Sequence, residues 1–163
     1  MSSRSASALK GRITFRRLHP DDKNGCKAAI RLWQRCGLAD DRTIAAKDLQ
    51  DCLSSGHGCV VLASPVESLV VSGTVMVGYD RDGTGWVHYL AVAPSRQQQG
   101  IGAALLTMAE DILRAAGLSE CRVMAHSPAI GGFYLAQGYD AAPVTNDQSD
   151  PPARRIYVKR LIP

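Results

Sequence analysis

The stretch LAVAPSRQQQGIGAALL, residues 90–106, joins an apolar run to a polar, glycine-bearing turn and then to a small apolar run of helical character. Leu90 to Ala93 reads as the end of a strand, and Pro94 stops it. Three glutamines, Gln97, Gln98 and Gln99, then lead into Gly100, Ile101 and Gly102. A helix starting here presents unpaired backbone N–H groups and a partial positive charge. Glycines at 100 and 102 remove the side chains that would hold a phosphate off the backbone. Taken alone, the turn supports two readings equally: an anion cradle, or a tight connection without ligand. A Walker A loop is excluded, because no Gly-Lys followed by Ser or Thr is present. The dinucleotide fingerprint fails as well, since Leu105 stands where a third glycine is needed.

Working outward, ITFRRL up to Leu18 alternates as a half-buried strand does, and Pro20-Asp21-Asp22 breaks it and caps a helix. Cys26, Ala29, Ile30, Trp33 and Cys36 mark that helix, which Gly37 ends. A second helix is expected over 43–53, with Ala45, Leu49, Cys52 and Leu53 on one side. Three strands follow. CVVLA (59–63) is wholly apolar and reads as central; SLVVSGTVMVGYD (68–80) carries Gly73 as a bulge or close approach; GWVHYLAVAP (85–94) follows the DRDG turn as a hairpin partner. After the glutamines, Ile101, Ala104, Leu105, Met108, Ile112 and Ala115 form one apolar helical face ending at Gly117. CRVMAH (121–126) is a strand, Ser127-Pro128 opens a short helix, and RRIYVKRLI (154–162) closes the chain as a strand, with 146–152 as loop. The expected architecture is a single α/β (α+β) domain: a central mixed, mostly antiparallel sheet of about seven strands flanked by about four helices.

Bulk properties narrow the function. The 163 residues suffice for one domain with a core of its own, expected over 12–163, while the Ser-rich, acid-free residues 1–11 read as a disordered tail or a transit peptide. A net charge of +4 is spread along the chain without a basic stripe, so no nucleic-acid partner is expected. No apolar run approaches the roughly 20 residues that span a bilayer, so no membrane segment is expected. Five cysteines without CxxC spacing and scattered histidines suggest reduced thiols in a cytoplasmic protein and no metal site.

Residues 90–106 are similar to motif A of the GCN5-related N-acetyltransferases (GNAT), in which a strand ending L-x-V is followed by Q/R-x-x-G-x-G/A at a helix start. Gln97-Gln98-Gln99-Gly100-Ile101-Gly102 matches the defining positions. AIGGFYLAQGYD (129–140) resembles the family's next signature, and ITFRRLHPDD its first strand, so the likeness spans roughly 12–140. LWQRCGL and GTVMVGYDRDG resemble more particularly the YpeA-like bacterial subgroup, whose acceptors are poorly assigned.

The resemblance implies acetyl-CoA as acetyl donor and a primary amine on a small molecule or peptide as acceptor, joined in a ternary complex. Backbone groups of Leu90, Ala91 and Val92 would pair with pantetheine. The turn from Gln97, Gln98 and Gln99 through Gly100, Ile101, Gly102, Ala103 and Ala104 would hold the pyrophosphate. Ser127, where relatives carry asparagine, would cap its helix and touch the cofactor. Tyr134 would protonate the leaving thiolate; the competing reading is a core aromatic beside Phe133 and Tyr139. The acceptor ammonium also needs a base. The strand offers no carboxylate but offers His88, expected on the same face as Leu90, and an ordinary histidine pKa of about 6.5 suits the task. A purely structural histidine is the alternative, and Asp80 or Tyr79 could act through water. The acceptor is expected near 32–49, the DRDG turn and 143–153, where Arg35, Asp40, Asp41, Arg42 and Asp80 stand. A homodimer is admitted by analogy. The missing strand carboxylate keeps open a second class of function, a non-catalytic CoA-binding regulatory module.

Overall fold

The computed structural model describes residues 12–68, 70–143 and 155–161. Seven strands form one sheet: β1 (Ile13–Arg17), β2 (Gly58–Pro65), β3 (Gly73–Tyr79), β4 (Gly85–Val92), β5 (Glu120–Ala125), β6 (Asp140–Ala141) and β7 (Arg155–Arg160). Four helices flank it: α1 (Lys23–Arg35), α2 (Arg42–Ser54), α3 (Ile101–Ala115) and α4 (Pro128–Ala136). The strand order is β1-β2-β3-β4-β5-β7-β6, antiparallel except for the parallel pair β4 and β5. The element order and sheet type expected from the sequence are those observed. The tail 1–11 and the loop 146–152 lie outside the described residues.

Caps and stops follow local chemistry. Asp22 accepts from the Gly25 N–H (2.9 Å) at the start of α1, and Asp41 accepts from the Thr43 N–H (2.8 Å) at the start of α2. Arg16 donates to Asp22 at 2.8 Å, and that bond, with the Gly25 amide second, holds the Asp22 carboxyl below the usual carboxylate range. Gly37 and Gly117, which follow α1 and α3, take left-handed φ of 72° and 86°.

The sheet is covered on both faces, which explains why β2 shows no polar alternation. Val60 and Leu62 pack with Trp33 and Leu49 beneath α1 and α2, whereas Val61 and Ala63 pack with Leu105 and Leu113 beneath α3. β3 begins at Gly73, later than the run from residue 68 suggested. A Cβ on Gly73 would come within 2.9 Å of Leu105 Cδ1 and 3.1 Å of Ile101 Cγ2, so the glycine admits α3 against the sheet.

The apolar face of α3 is rotated from the one expected. Ile101 and Leu105 are buried as expected, but Leu106, Ala109 and Leu113 join them, while Ala115 is exposed. So much of this helix is apolar that several stripes compete, and tertiary contacts choose among them. The polar Glu110 is buried on that same side. Tyr139 Oη donates to its carboxylate at 2.8 Å and Lys159 Nζ at 3.1 Å, which satisfies the charge. All five cysteines are free thiols. Cys121 is fully buried and burial pushes its thiol up to about 11, which leaves it a poor nucleophile.

Candidate functional site

Strands β4 and β5 are hydrogen-bonding partners only from Gly85↔Cys121 to Val87↔Val123. Beyond that point each continues without the other, and a cleft of about 480 Å³ opens there. The β4 residues His88, Tyr89 and Leu90 line one wall, Met124 and His126 of the β5 end another, and Ile130 and Tyr134 of α4 a third. Asp48 and Asp51 of α2 reach the same cleft.

The register against β3 slips inside β4. Thr74 faces Ala91 and Met76 faces His88, so β4 spends one extra residue opposite Val75. This β-bulge changes which side chains share a face. Leu90 and Val92 pack toward α3, whereas Ala91 and Tyr89 pack toward α1 and α2. His88, opposite Met76, also belongs to the second face. The expectation that His88 and Leu90 share a face is therefore corrected: the bulge shifts the two-residue period by one. Tyr89 takes a left-handed φ of 49°, an uncommon conformation for a bulky residue.

Past the bulge, the Ala93 N–H donates to Ser72 O at 2.8 Å. Alternation along the strand turns the N–H and C=O of Val92 toward the opposite edge, where β5 has departed. The Val92 carbonyl accepts from Gln97 Nε2 at 3.1 Å and from the Cys36 thiol at 3.4 Å.

The turn after β4 forms a short 3₁₀ segment, Pro94–Arg96, and then two left-handed residues, Gln98 (φ 63°) and Gly100 (φ 86°). Gly100 is the N-cap of α3, and no side chain caps this helix end. The first N–H groups of the helix thus lack the acceptor that Asp22, Asp41 and Ser127 supply elsewhere. Gly100 is required by its φ. Gly102 is not: a Cβ there would make ordinary contacts, 3.6 Å to Val92 Cγ2 and 3.7 Å to Phe133 Cζ.

Tyr134 projects from α4, only 5% exposed, among Phe133, Tyr139 and Tyr157 at ring-centroid distances of 5.3, 5.6 and 6.1 Å. It is a core aromatic that also borders the cleft. Burial, with the Cys121 thiol second, pushes its phenol up to about 12. Ser127 Oγ accepts from the Ile130 N–H at 3.3 Å and so caps α4. Gly131 and Gly132 separate in role. A Cβ on Gly131 would overlap the Tyr157 hydroxyl, whereas Gly132 has no atom within 4 Å of that position.

His88 is open to the cleft on one side and crowded by protein on the other. Burial lowers its pKa, and Asp48 and Asp80 oppose that shift. Of the acceptor-side residues expected from the sequence, Asp41 is engaged in capping and Asp80 accepts from Trp86 Nε1 at 3.0 Å. The carboxylates that line the cleft are Asp48, which falls in the 32–49 stretch expected to face the acceptor but was not singled out there, and Asp51; Tyr89 and His126 line it too. Their only sequence signal was a place on the polar side of α2, or beside a bulge that composition does not reveal. Among the described residues, no group of three His, Cys, Asp or Glu side chains could hold a metal ion, and no helix is long and apolar enough to cross a membrane.

The profile of a family described as "Acetyltransferase (GNAT) domain" matches residues 55–141, more than half of the chain. A sequence search of curated proteins found no match. Among solved structures, a GNAT-family protein from Desulfovibrio desulfuricans superposes with a TM-score of 0.76 at 21% identity, covering 92% of this chain and 99% of that one. The PaiA N-acetyltransferase of Thermoplasma acidophilum, solved with coenzyme A, gives 0.68 at 19% identity, covering 91% and 98%. The ribosomal-protein-S18-alanine N-acetyltransferase of Escherichia coli gives 0.72 at 16% identity, covering 91% and 94%. At these identities the superpositions speak for the fold, and the profile match for the family: the chain belongs to the GNAT acetyltransferases.

Proposed function

We propose that residues 12–163 form one N-acetyltransferase domain that moves an acetyl group from acetyl-CoA to a primary amine by direct attack in a ternary complex. The observation that carries this reading is the gap between β4 and β5, bordered by a buried phenol and adjoining a helix start that no side chain caps. Pantetheine lies in the gap, paired with the backbone from Leu90 through Val92. The Val92 N–H serves here, since its carbonyl already accepts from Gln97 and Cys36. The pyrophosphate rests on the N–H groups from Gln98 to Ala104, where Gly102 keeps the approach clear. Ser127 caps α4 beside the cofactor. Within the family, the stretches LWQRCGL and GTVMVGYDRDG support a finer placement in the YpeA-like subgroup.

The chemistry follows from four proton movements. The acceptor arrives as R–NH₃⁺, and neutral His88 takes one proton, leaving a lone pair on nitrogen. Nitrogen attacks the thioester carbon and the carbonyl π electrons move to oxygen. When the carbonyl re-forms, the C–S bond breaks and sulfur leaves with the bonding pair. A phenol near 12 is a weak acid toward a thiolate of about 8.5, so full transfer alone is uphill by about 5 kcal/mol. Tyr134 therefore works as a relay: it protonates the departing sulfur while accepting the second proton from the amide nitrogen, and no phenolate accumulates. His88 later releases its proton to solvent. The products are R–NH–acetyl and CoA thiol.

The test is thiol release from acetyl-CoA across a panel of amino acids, alkylamines, polyamines, aminoglycosides and peptide N-termini. Amine-dependent, saturable release is expected. Tight CoA binding without release for any amine would instead favour a regulatory CoA-binding module.

A further inference from the structure

Asp48 is held in an unusually defined way for a carboxylate on a helix surface. Tyr89 Oη donates to its Oδ2 at 2.6 Å, across 41 residues of sequence. The Tyr89 ring stacks on Trp33 at 3.9 Å between centroids, and Trp33 is completely buried. Trp33 Nε1 donates to Thr74 Oγ1 (2.8 Å), and that hydroxyl donates to the Tyr89 carbonyl (2.8 Å). Ring and backbone of the bulge residue are thus both fixed. Burial, reinforced by the bond to Asp48, raises the phenol pKa, so Tyr89 remains the donor and Asp48 the acceptor. Among the described residues no donor takes Asp48 Oδ1. Asp51, one turn on, is 66% exposed at its side chain and pairs with Lys47 at 3.3 Å. Around Asp48 the cleft is walled by Leu38, Met76, Met124 and Ile130.

We propose that Asp48 seats the acceptor's ammonium group through its uncommitted oxygen, that Tyr89 positions this carboxylate, and that the acceptor class is an alkylammonium on an apolar stem. The inference rests on the acetyltransferase reading above. With Asp51 paired to Lys47, the open oxygen of Asp48 matches one positive charge, and the apolar part of the lining matches a hydrocarbon stem better than a polyhydroxylated or acidic one. Asp48 keeps its charge throughout. It orients R–NH₃⁺ toward His88, which takes the proton, and no bond to Asp48 is made or broken. The carboxylate missing from strand β4 is in this way supplied by helix α2.

The probe is hexylamine, with hexyltrimethylammonium as a charged analogue that cannot be acetylated. Removing a charge-assisted contact is expected to raise the hexylamine KM of Asp48→Asn by about 10- to 100-fold, with the acetyl-CoA KM unchanged. Hexyltrimethylammonium competes with hexylamine in the wild type and loses that effect in Asp48→Asn. Tyr89→Phe keeps the ring on Trp33 and raises the same KM by a smaller factor. Combined with Asp48→Asn it adds nothing, because it acts through Asp48. An unchanged hexylamine KM in Asp48→Asn, or turnover of other amines but not hexylamine, overturns the inference alone. Absence of release with every amine in the wild type overturns the acetyltransferase reading beneath it.

Discussion

Replacing Gly131 and, separately, Gly132 by alanine should move the stability of one helix in opposite directions. Both lie inside α4, and each substitution removes the same backbone penalty, about 1 kcal/mol for glycine relative to alanine. At Gly132 nothing lies within 4 Å of the new Cβ and the residue is exposed, so the whole gain is realised. For a chain of this length that is a rise of about 2–4 °C in Tm. At Gly131 the Cβ would overlap the Tyr157 hydroxyl and come to 2.9 Å from its Cζ. Tyr157 cannot step aside, since it is only 6% exposed and lies in β7 between Val123 and Ala141. Overpacking of this kind costs about 1–3 kcal/mol. Because the propensity gain is common to both variants, their difference isolates the clash, and Gly131→Ala should be the less stable by about 1–3 kcal/mol. Urea unfolding monitored by far-UV circular dichroism measures it, provided the m-values agree. Tyr157→Phe removes the oxygen but not Cζ, so in that background part of the difference should disappear. Equal stabilisation by the two alanines, or a difference that Tyr157→Phe leaves intact, would refute the reasoning.

Gly102→Ala should leave the fold as stable or slightly more so, yet weaken CoA binding by about 10-fold or more, read by calorimetry, if the phosphate approaches this backbone. Unchanged affinity would move the pyrophosphate elsewhere. Tyr134→Phe should lower kcat by about 100-fold with CoA affinity retained; a kcat near that of the wild type removes the relay. The lowered pKa of His88 places the acidic limb of the rate profile below about 6.5, and His88→Ala should abolish that limb. The same shift bears on stability. The unfolded chain binds this proton first, so the contribution of neutral His88 is complete above about 6.5 and is lost as pH falls through the lower folded value. Acid titrations of unfolding for wild type and His88→Ala should therefore converge as pH drops.

The order of elements was legible because its signals are local. Asp22 and Ser127 announce helix starts, Gly37 and Gly117 announce ends, and the apolar CVVLA announces a strand covered on both sides; the Asp41 cap of α2 was read only as an acceptor-side charge. The turn at 97–102 was legible because left-handed backbone and an uncapped helix leave a mark in glycines. The bulge in β4 left none. One residue more or less in HYLAV changes no composition, yet it decides which side of the sheet His88 faces. The buried stripe of α3 was ambiguous because Ala104, Leu105, Leu106, Met108, Ala109 and Ile112 fit several stripes. The stripe that is buried packs against residues distant in sequence, Val61, Val75 and Val123 among them, and carries Glu110 to its partners Tyr139 and Lys159. Asp48 was illegible for the same reason, since its partner stands 41 residues away.

The lone parallel pairing among the described strands has a consequence for how such a site comes to exist at all. Two parallel neighbours cannot be joined by a tight hairpin; the chain must climb over the sheet and return, and here α3 makes that crossover. A crossover helix has to begin at the far end of the first strand, the same end at which β4 and β5 drift apart. The opening between the strands and the electropositive start of the helix are therefore products of one topological event. Reconnecting β4 and β5 as an antiparallel hairpin could preserve much of the core and would erase both together.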